Sequence, residues 1–405
     1  MSKKKNILQF GSLCVQPSKL NKKISPHTEP IYATTAYTFD STEEAMKLFD
    51  DQFQGYVYSR WSNPTVEMAE NKIAALETHG SDIKAKAQLF SSGMAAISSA
   101  MMAALNAGEK LLTQNQLYGT TDELIQKQLA AFGIENVRCD LNDLNKVENI
   151  LKKDKTVKLI YLETPSNPMM EVYDISEISK LANKYKIKVA VDNTFASPYC
   201  QQPLISGADI VIHSTTKYLN GHGSGLGGVV VGKDIKFMKE QVWTKIKLLG
   251  ANSNAFDAWL ILQGLKTLEI RMQRHCANAK KVAEFLRDHK KVAQVNYCGF
   301  KEHPQHKIIK KQMRDFSGML SFDLKGGLKA GKQLMNSVKL CNMVTTLGTL
   351  DTLIQHPASM THVNVPRERR LAGGITDGLV RLSVGIENVE DIIGDLEQGL
   401  TEVKG

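Results

Sequence analysis

The stretch that most constrains this chain is residues 208–228, ADIVIHSTTKYLNGHGSGLGG. Its first half joins the β-branched Ile210, Val211 and Ile212 and reads as a short buried strand, whereas its second half is too rich in glycine to be anything but loop. Lys217 stands where strand gives way to loop. Ligands gather at strand ends in open α/β sheets, and a lysine held there away from water gives up its proton readily and becomes a nucleophile. An arbitrary lysine is more often a solvated surface group, so the decision rests on its company. Ser214 and Thr216 flank it with hydroxyls suited to phosphate oxygens, and KVAVD at 188–192 is a second apolar run that ends in an acid, Asp192.

An aspartate after one strand and Ser-x-x-Lys after the next have a specific joint use. The acid keeps the nitrogen of a pyridoxal ring protonated, which makes the ring an electron sink, while the lysine holds the ring's aldehyde carbon. The strings VDNTFASPYCQQPL and HSTTKYLNGHG closely resemble the γ-family of pyridoxal-phosphate (PLP) enzymes of cysteine and methionine metabolism. That family includes methionine γ-lyase, cystathionine γ-lyase, cystathionine γ-synthase and the O-acylhomoserine sulfhydrylases. The resemblance covers nearly the whole chain and implies an α/β fold of the PLP-dependent transferase type I. Such a fold has a mainly parallel central sheet with helices on both faces and a smaller C-terminal α/β domain. The residues agree, because strands alternate with helical stretches over 65–79, 87–97, 157–163 and 175–192.

Other motifs fill in the site. At 87–97, AQLFSSGMAAI reads strand, tight turn, helix, and the free N–H groups at Gly93 and Met94 after Ser92 make an anion site in the place where the family keeps its phosphate loop. GYVYSRWSNPT at 55–65 matches the family's Tyr-Ser-Arg-x-x-Asn-Pro-Thr. The resemblance gives Tyr58 and Arg60 the phosphate of a neighbouring subunit's cofactor, and a planar guanidinium suits a phosphate. Tyr118 matches the tyrosine that stacks on the pyridoxal ring and can pass a proton to a leaving group. ETPSNP at 163–168 implies that Asn167 donates to the ring's phenolic oxygen, with Glu163 supporting from behind. Arg381, inside the apolar GLVRLSVGI, needs a partner, and the family supplies a substrate α-carboxylate. Thr346 falls where the family has a serine beside the catalytic lysine.

Four positions bear on the substrate. Methionine γ-lyases typically carry cysteine where this chain has Thr120. The residue before Thr346 is usually glutamate in enzymes that handle cystathionine, and here it is Thr345, which disfavours a second ammonium on the substrate. Where methionine γ-lyases show a Lys-Asp pair, this chain has Ile246 and Lys247. The expected reaction is γ-elimination from methionine or homocysteine, with Lys217, Tyr118 and Asp192 catalytic and Arg381, Thr346, Thr345 and Thr120 at the substrate. Cystathionine γ-lyase, cystathionine γ-synthase or O-acylhomoserine sulfhydrylase is the alternative, and a catalytically silent PLP-binding scaffold is the rival from another class.

Composition excludes more than it selects. A chain of 405 residues, 42% hydrophobic and 23% charged, is long enough for two domains: a PLP-binding domain at 63–258 and a C-terminal domain at 259–405. Residues 1–62 read as an irregular arm that contributes to a neighbouring subunit. The net charge of +9 is spread along helices without a basic stripe interleaved with aromatics, so no nucleic-acid partner is expected. The start MSKKKNILQFG lacks a secretory apolar run, no stretch suits a bilayer, and the six cysteines show no metal or redox spacing. The expectation is a cytoplasmic protein with a small amino-acid substrate, no metal and no membrane. By resemblance it is a homotetramer built as a dimer of dimers, with active sites shared across each dimer.

Overall fold

The structure, a computed structural model, describes residues 8–18, 26–50 and 55–403. Seven strands form the larger sheet: β1 (Lys86–Phe90), β2 (Lys110–Thr113), β3 (Glu135–Arg138), β4 (Val157–Glu163), β5 (Lys188–Asp192), β6 (Ile210–His213) and β7 (Gly228–Gly232). Their order is β1-β7-β6-β5-β4-β2-β3; β3, β2, β4, β5 and β6 run parallel, and β7 pairs antiparallel with both β6 and β1. The mainly parallel expectation therefore holds, with one reversed strand next to an edge.

Both faces of this sheet are covered, which is why its strands are apolar throughout rather than alternating. Phe90, Leu111, Tyr161, Ala190, Ile212 and Val230 pack on one face against the helix Gly93–Ala104. Ile160, Leu162, Val189 and Val191 pack on the other against the helices Leu144–Lys153 and Ile175–Lys184. A side-chain period of two sends successive residues of each strand to opposite cores.

The smaller sheet contains β8 (Val292–Asn296), β9 (Met319–Leu324), β10 (Asn342–Met343), β11 (Leu353–Gln355) and β12 (Leu379–Ser383), ordered β10-β11-β12-β9-β8. Its Leu320, Phe322, Val380 and Leu382 share a core with Val282 and Leu286 of one helix and Leu396 and Leu400 of another. Among the described residues no helix is long and apolar enough to cross a membrane, and no group of three or more His, Cys, Asp or Glu side chains could hold a metal ion.

Two local expectations need correction. Apolar residues at helical spacing over 256–286 predict one long helix, but the structure has two, Ala255–Lys266 and Leu268–Asp288, broken at Thr267. Arg271 braces the break: its buried guanidinium donates to Gly264 O and Tyr218 O at 2.8 Å each and to Thr267 Oγ1 at 3.0 Å. The residues 1–62 are also not uniformly irregular. A short helix, Phe10–Val15, buries Phe10 and Cys14 in the chain's own core. A second helix, Thr42–Phe49, is capped by Ser41, whose Oγ accepts from Glu44 N. Residues 1–7, 19–25 and 51–54 of that arm lie outside the described residues.

Candidate active site

The C-terminal ends of β4, β5 and β6 open into a cavity of about 250 Å³ whose lining joins both sheets. From the larger sheet come Glu163, Asp192, Ser214, Thr216 and Lys217; from the smaller, Thr345, Leu347 and Arg381. Strands of a parallel sheet all deliver their ends to one edge, so residues far apart in sequence meet there.

Lys217 sits in the turn after β6, where its N–H donates to Ser214 O at 3.1 Å and its carbonyl accepts from Gly221 N at 2.7 Å. Its Nζ lies 2.7 Å from Thr346 Oγ1. Burial, and secondly the nearby Arg381 charge, pull its pKa down to about 8. At neutral pH about a tenth of such lysines are unprotonated and nucleophilic, far more than for a solvated lysine. Arg381 is itself buried, which lowers its pKa to about 10; its Nη2 donates to Thr346 O at 2.8 Å and its Nε, also buried, has no acceptor among the described residues. A buried donor left open beside the lysine calls for an anion.

Asp192 and Glu163 are register partners on β5 and β4, so the cavity floor carries two carboxyl groups side by side. Burial raises the pKa of both; Asp192 is eased by the hydroxyl and N–H of Thr194, while Glu163 is pushed further by Asp192. Asp192 also accepts from Tyr161 Oη at 3.3 Å. Both oxygens of Glu163 accept from Tyr118 N, at 2.8 and 3.0 Å, which fixes the tyrosine at the cavity wall. Glu163 therefore does more than support from behind, since it lines the cavity directly.

The helix Gly93–Ala104 begins at the opposite wall. Its cap Ser92 accepts from Ala95 N through Oγ at 3.1 Å, while the N–H groups of Gly93 and Met94 have no acceptor among the described residues. A Cβ at position 93 would fall 2.8 Å from Ser214 Cβ and 2.9 Å from its Oγ, so glycine alone lets the helix start this close to β6. The result is a small cradle of open N–H groups and a hydroxyl at the positive end of a helix.

Of the sequence-derived candidates, Ser92, Gly93, Met94, Tyr118, Asn167, Asp192, Ser214, Thr216, Lys217, Thr345 and Arg381 line the cavity, and Thr346 touches Lys217 and Arg381. Thr120 does not line it. In the short helix Gly119–Glu123 the phase buries Thr121 and leaves Thr120 exposed. Tyr58 and Arg60 also lie outside this chain's cavity, with Tyr58 42% exposed. Sequence reasoning missed Ile97, Pro165, Thr194, Phe195, Leu226 and Leu347. Thr194 follows Asp192 by two residues and accepts from Ser214 N at 2.9 Å, a turn signal that was available. Leu226 stands in the glycine-rich loop, where nothing in the sequence marks which way it faces.

These groups fit PLP: an anion cradle for the phosphate, a buried acid for the ring nitrogen, a lysine of lowered pKa for the aldehyde and an open arginine for a substrate carboxylate. They define the site of a fold type I PLP-dependent enzyme. Known proteins agree. The family described as Cys/Met metabolism PLP-dependent enzymes matches residues 12–401, and the chain belongs to it. An L-methionine gamma-lyase of Fusobacterium nucleatum subsp. polymorphum is 48% identical over 397 residues, covering 97% of this chain and 98% of that one. A cystathionine gamma-lyase of Lactobacillus plantarum, solved with L-serine, superposes with a TM-score of 0.89 at 36% identity over 98% of this chain and 99% of that one. A putative O-acetylhomoserine (thiol)-lyase of Campylobacter jejuni subsp. jejuni, whose structure contains N'-pyridoxyl-lysine-5'-monophosphate, superposes with a TM-score of 0.90 at 32% identity over 97% and 100%. The chain is thus a PLP-dependent enzyme and not a silent scaffold.

Proposed function

We propose that this enzyme carries out γ-elimination on sulfur amino acids, converting methionine or homocysteine with water into 2-oxobutanoate, ammonia and a thiol. The observation that carries the reading is the pairing of Lys217 with Arg381: a lysine of lowered pKa and a buried guanidinium with an open Nε, both reaching Thr346. PLP bound here supplies an electron sink for carbanionic character at the substrate's α- and β-carbons. Arg381 binds the α-carboxylate and so fixes which face of the substrate Lys217 meets. Lys217 would hold the cofactor's aldehyde carbon, and its amine is the base placed to move protons at the substrate's α- and β-carbons. Tyr118, held by Glu163, stands at the wall and delivers a proton to the departing sulfur. Asp192 would balance the ring nitrogen, Asn167 would donate to the phenolic oxygen, and Ser92, Gly93, Met94, Ser214 and Thr216 would hold the phosphate.

Thr345, together with the apolar Leu226, Phe195 and Leu347 in the same lining, supports an uncharged thioether over the second ammonium of cystathionine. The second reading, cystathionine γ-lyase or a γ-synthase or sulfhydrylase, is favoured by the likeness to solved structures of those names. We place the domain boundary at 258/259 and infer a cytoplasmic homotetramer, a dimer of dimers in which Tyr58 and Arg60 serve the neighbour's phosphate. The exposure of Ile31, Tyr32, Met46, Phe49 and Tyr58 supports a partner over this arm.

The test is a product assay with methionine, homocysteine, cystathionine and O-acetylhomoserine offered separately to PLP-loaded protein. Thiol and 2-oxobutanoate from methionine are expected. Turnover confined to cystathionine, or dependent on an added thiol with the acylated homoserine, moves the enzyme to the second reading. Lys217→Ala, folded as judged by circular dichroism, should lose at least about 10²–10⁴-fold in rate; unchanged turnover overturns the role of Lys217.

A further inference from the structure

Residues 58–61 touch no part of their own chain's cavity, yet they are held from two sides. On one side Ser59 N donates to Thr35 O at 2.8 Å, and Asn63 Nδ2 reaches Tyr32 O at 2.9 Å and Ser59 Oγ at 3.2 Å. On the other stands the helix Trp243–Leu249. Trp243 Nε1 donates to Trp61 O at 2.7 Å, and Arg60 Nη1 donates to Lys247 O. Lys247 Nζ lies 4.4 Å from the Trp61 ring centroid and 5.1 Å from that of Trp243, so one ammonium is within cation–π reach of two indoles. Indole is the strongest cation–π partner among side chains, and two of them hold a charge that no carboxylate among the described residues pairs with.

We propose that Trp243 and Lys247 are positioning residues that aim Arg60 at the phosphate of a cofactor bound by a second copy of the chain. The inference rests on the reading that Tyr58 and Arg60 serve the neighbour's site. Arg60 is a planar fork with five N–H donors; its Nη1 is fixed on Lys247 O and the Tyr58 ring lies 5.4 Å from its Cζ, so the fork is held while its other donors have no acceptor among the described residues. An arginine ordered beforehand loses less freedom when it meets its anion. The helix that orders it is itself anchored: Gly250, with φ of +73°, ends it in a left-handed turn, and the next residue, Ala251, accepts from Ser91 N at 2.9 Å, immediately before the chain's own phosphate cradle. One short helix therefore joins the cradle of one site to the arginine offered to the other.

The test titrates the full-length chain, stripped of cofactor, with PLP and with pyridoxal, which lacks the phosphate. Arg60→Ala should weaken PLP and spare pyridoxal. Trp243→Phe keeps the ring but removes the N–H, and should weaken PLP about fivefold, the worth of one hydrogen bond, again sparing pyridoxal. Lys247→Met keeps the stem and backbone carbonyl and should weaken PLP a few-fold, with Lys247→Arg restoring it. The double variant Arg60→Ala/Trp243→Phe should bind PLP no more weakly than Arg60→Ala alone. If Arg60→Ala has no effect, the reading of Arg60 falls. If Arg60→Ala weakens PLP but Trp243→Phe and Lys247→Met do not, the positioning role falls. Equal weakening of PLP and pyridoxal by Trp243→Phe marks a merely structural residue and also overturns the proposal. Should Trp243→Phe fail to fold, Lys247→Met carries the same comparison.

Discussion

Lys217 shows how one residue's chemistry is made by its surroundings. Nothing in a lysine is nucleophilic at neutral pH; burial and the Arg381 charge bring its pKa down to about 8. Capture of PLP by cofactor-free protein should therefore accelerate about tenfold per pH unit below pH 8 and level off above it, as followed by absorbance after mixing. Arg381→Ala should move that inflection upward. Glu70 illustrates the opposite case of a buried acid with no catalytic part. It is 8% exposed, accepts Leu89 N at 2.8 Å, and burial pushes its pKa up to about 7. The folded chain holds this proton more tightly than the unfolded chain, so no penalty exists below about pH 4.5; stability falls as pH rises from there and the full cost is felt above 7. Glu70→Gln keeps an acceptor for Leu89 and should stabilise the protein at pH 8 by an amount on the order of 1–3 kcal/mol, with the gain vanishing near pH 4.5 in urea titrations.

At the scale of elements, the strands that carry the site were legible because their signal is doubled: β5 and β6 are β-branched apolar runs, and each ends in a residue that has no place in a core, Asp192 on one and the Ser214-to-Lys217 turn on the other. The helix break at Thr267 was not legible. No proline or glycine stands there, and the side chain that braces the break, Arg271, reaches back over one turn to Gly264 and across to Tyr218, a contact between residues 53 apart in sequence. Arg271→Met should cost about 1–3 kcal/mol, since it strands the buried carbonyl of Tyr218, and should loosen the segment beside Lys217; hydrogen exchange of Tyr218 to Gly221 is the measurement. The helix Thr42–Phe49 could have been read from Ser41 and Glu44 at capping-box spacing, with Glu44 Oε2 also accepting from Asp40 N at 2.7 Å. The inside-outside assignment of Thr120 and Thr121 needed the helix phase, which five residues are too short to fix.

The whole molecule places Tyr58 and Arg60 away from their own cavity, and this sets a genetic test. Mixed oligomers of Arg60→Ala and Lys217→Ala chains should regain activity, to about a quarter of wild type at equal mixing if sites are shared pairwise. Mixtures as inactive as their parents would mean that each chain completes its own site. Burial of all six cysteines as free thiols fits such an assembly being held by packing and not by disulfides.

The antiparallel pairing of β1 with β7 has a further consequence, for the birth of the chain. On the ribosome β2 to β6 can assemble in the order in which they emerge, but β1, made before any of them, keeps an open edge until residue 232 arrives to let β7 close it. The cradle at Ser92 to Met94 begins just past that edge, and Thr346 and Arg381 are made later still. The newborn enzyme thus acquires its lysine and its acid first, the proposed phosphate cradle in firm form next, and the residues proposed to grip substrate last of all.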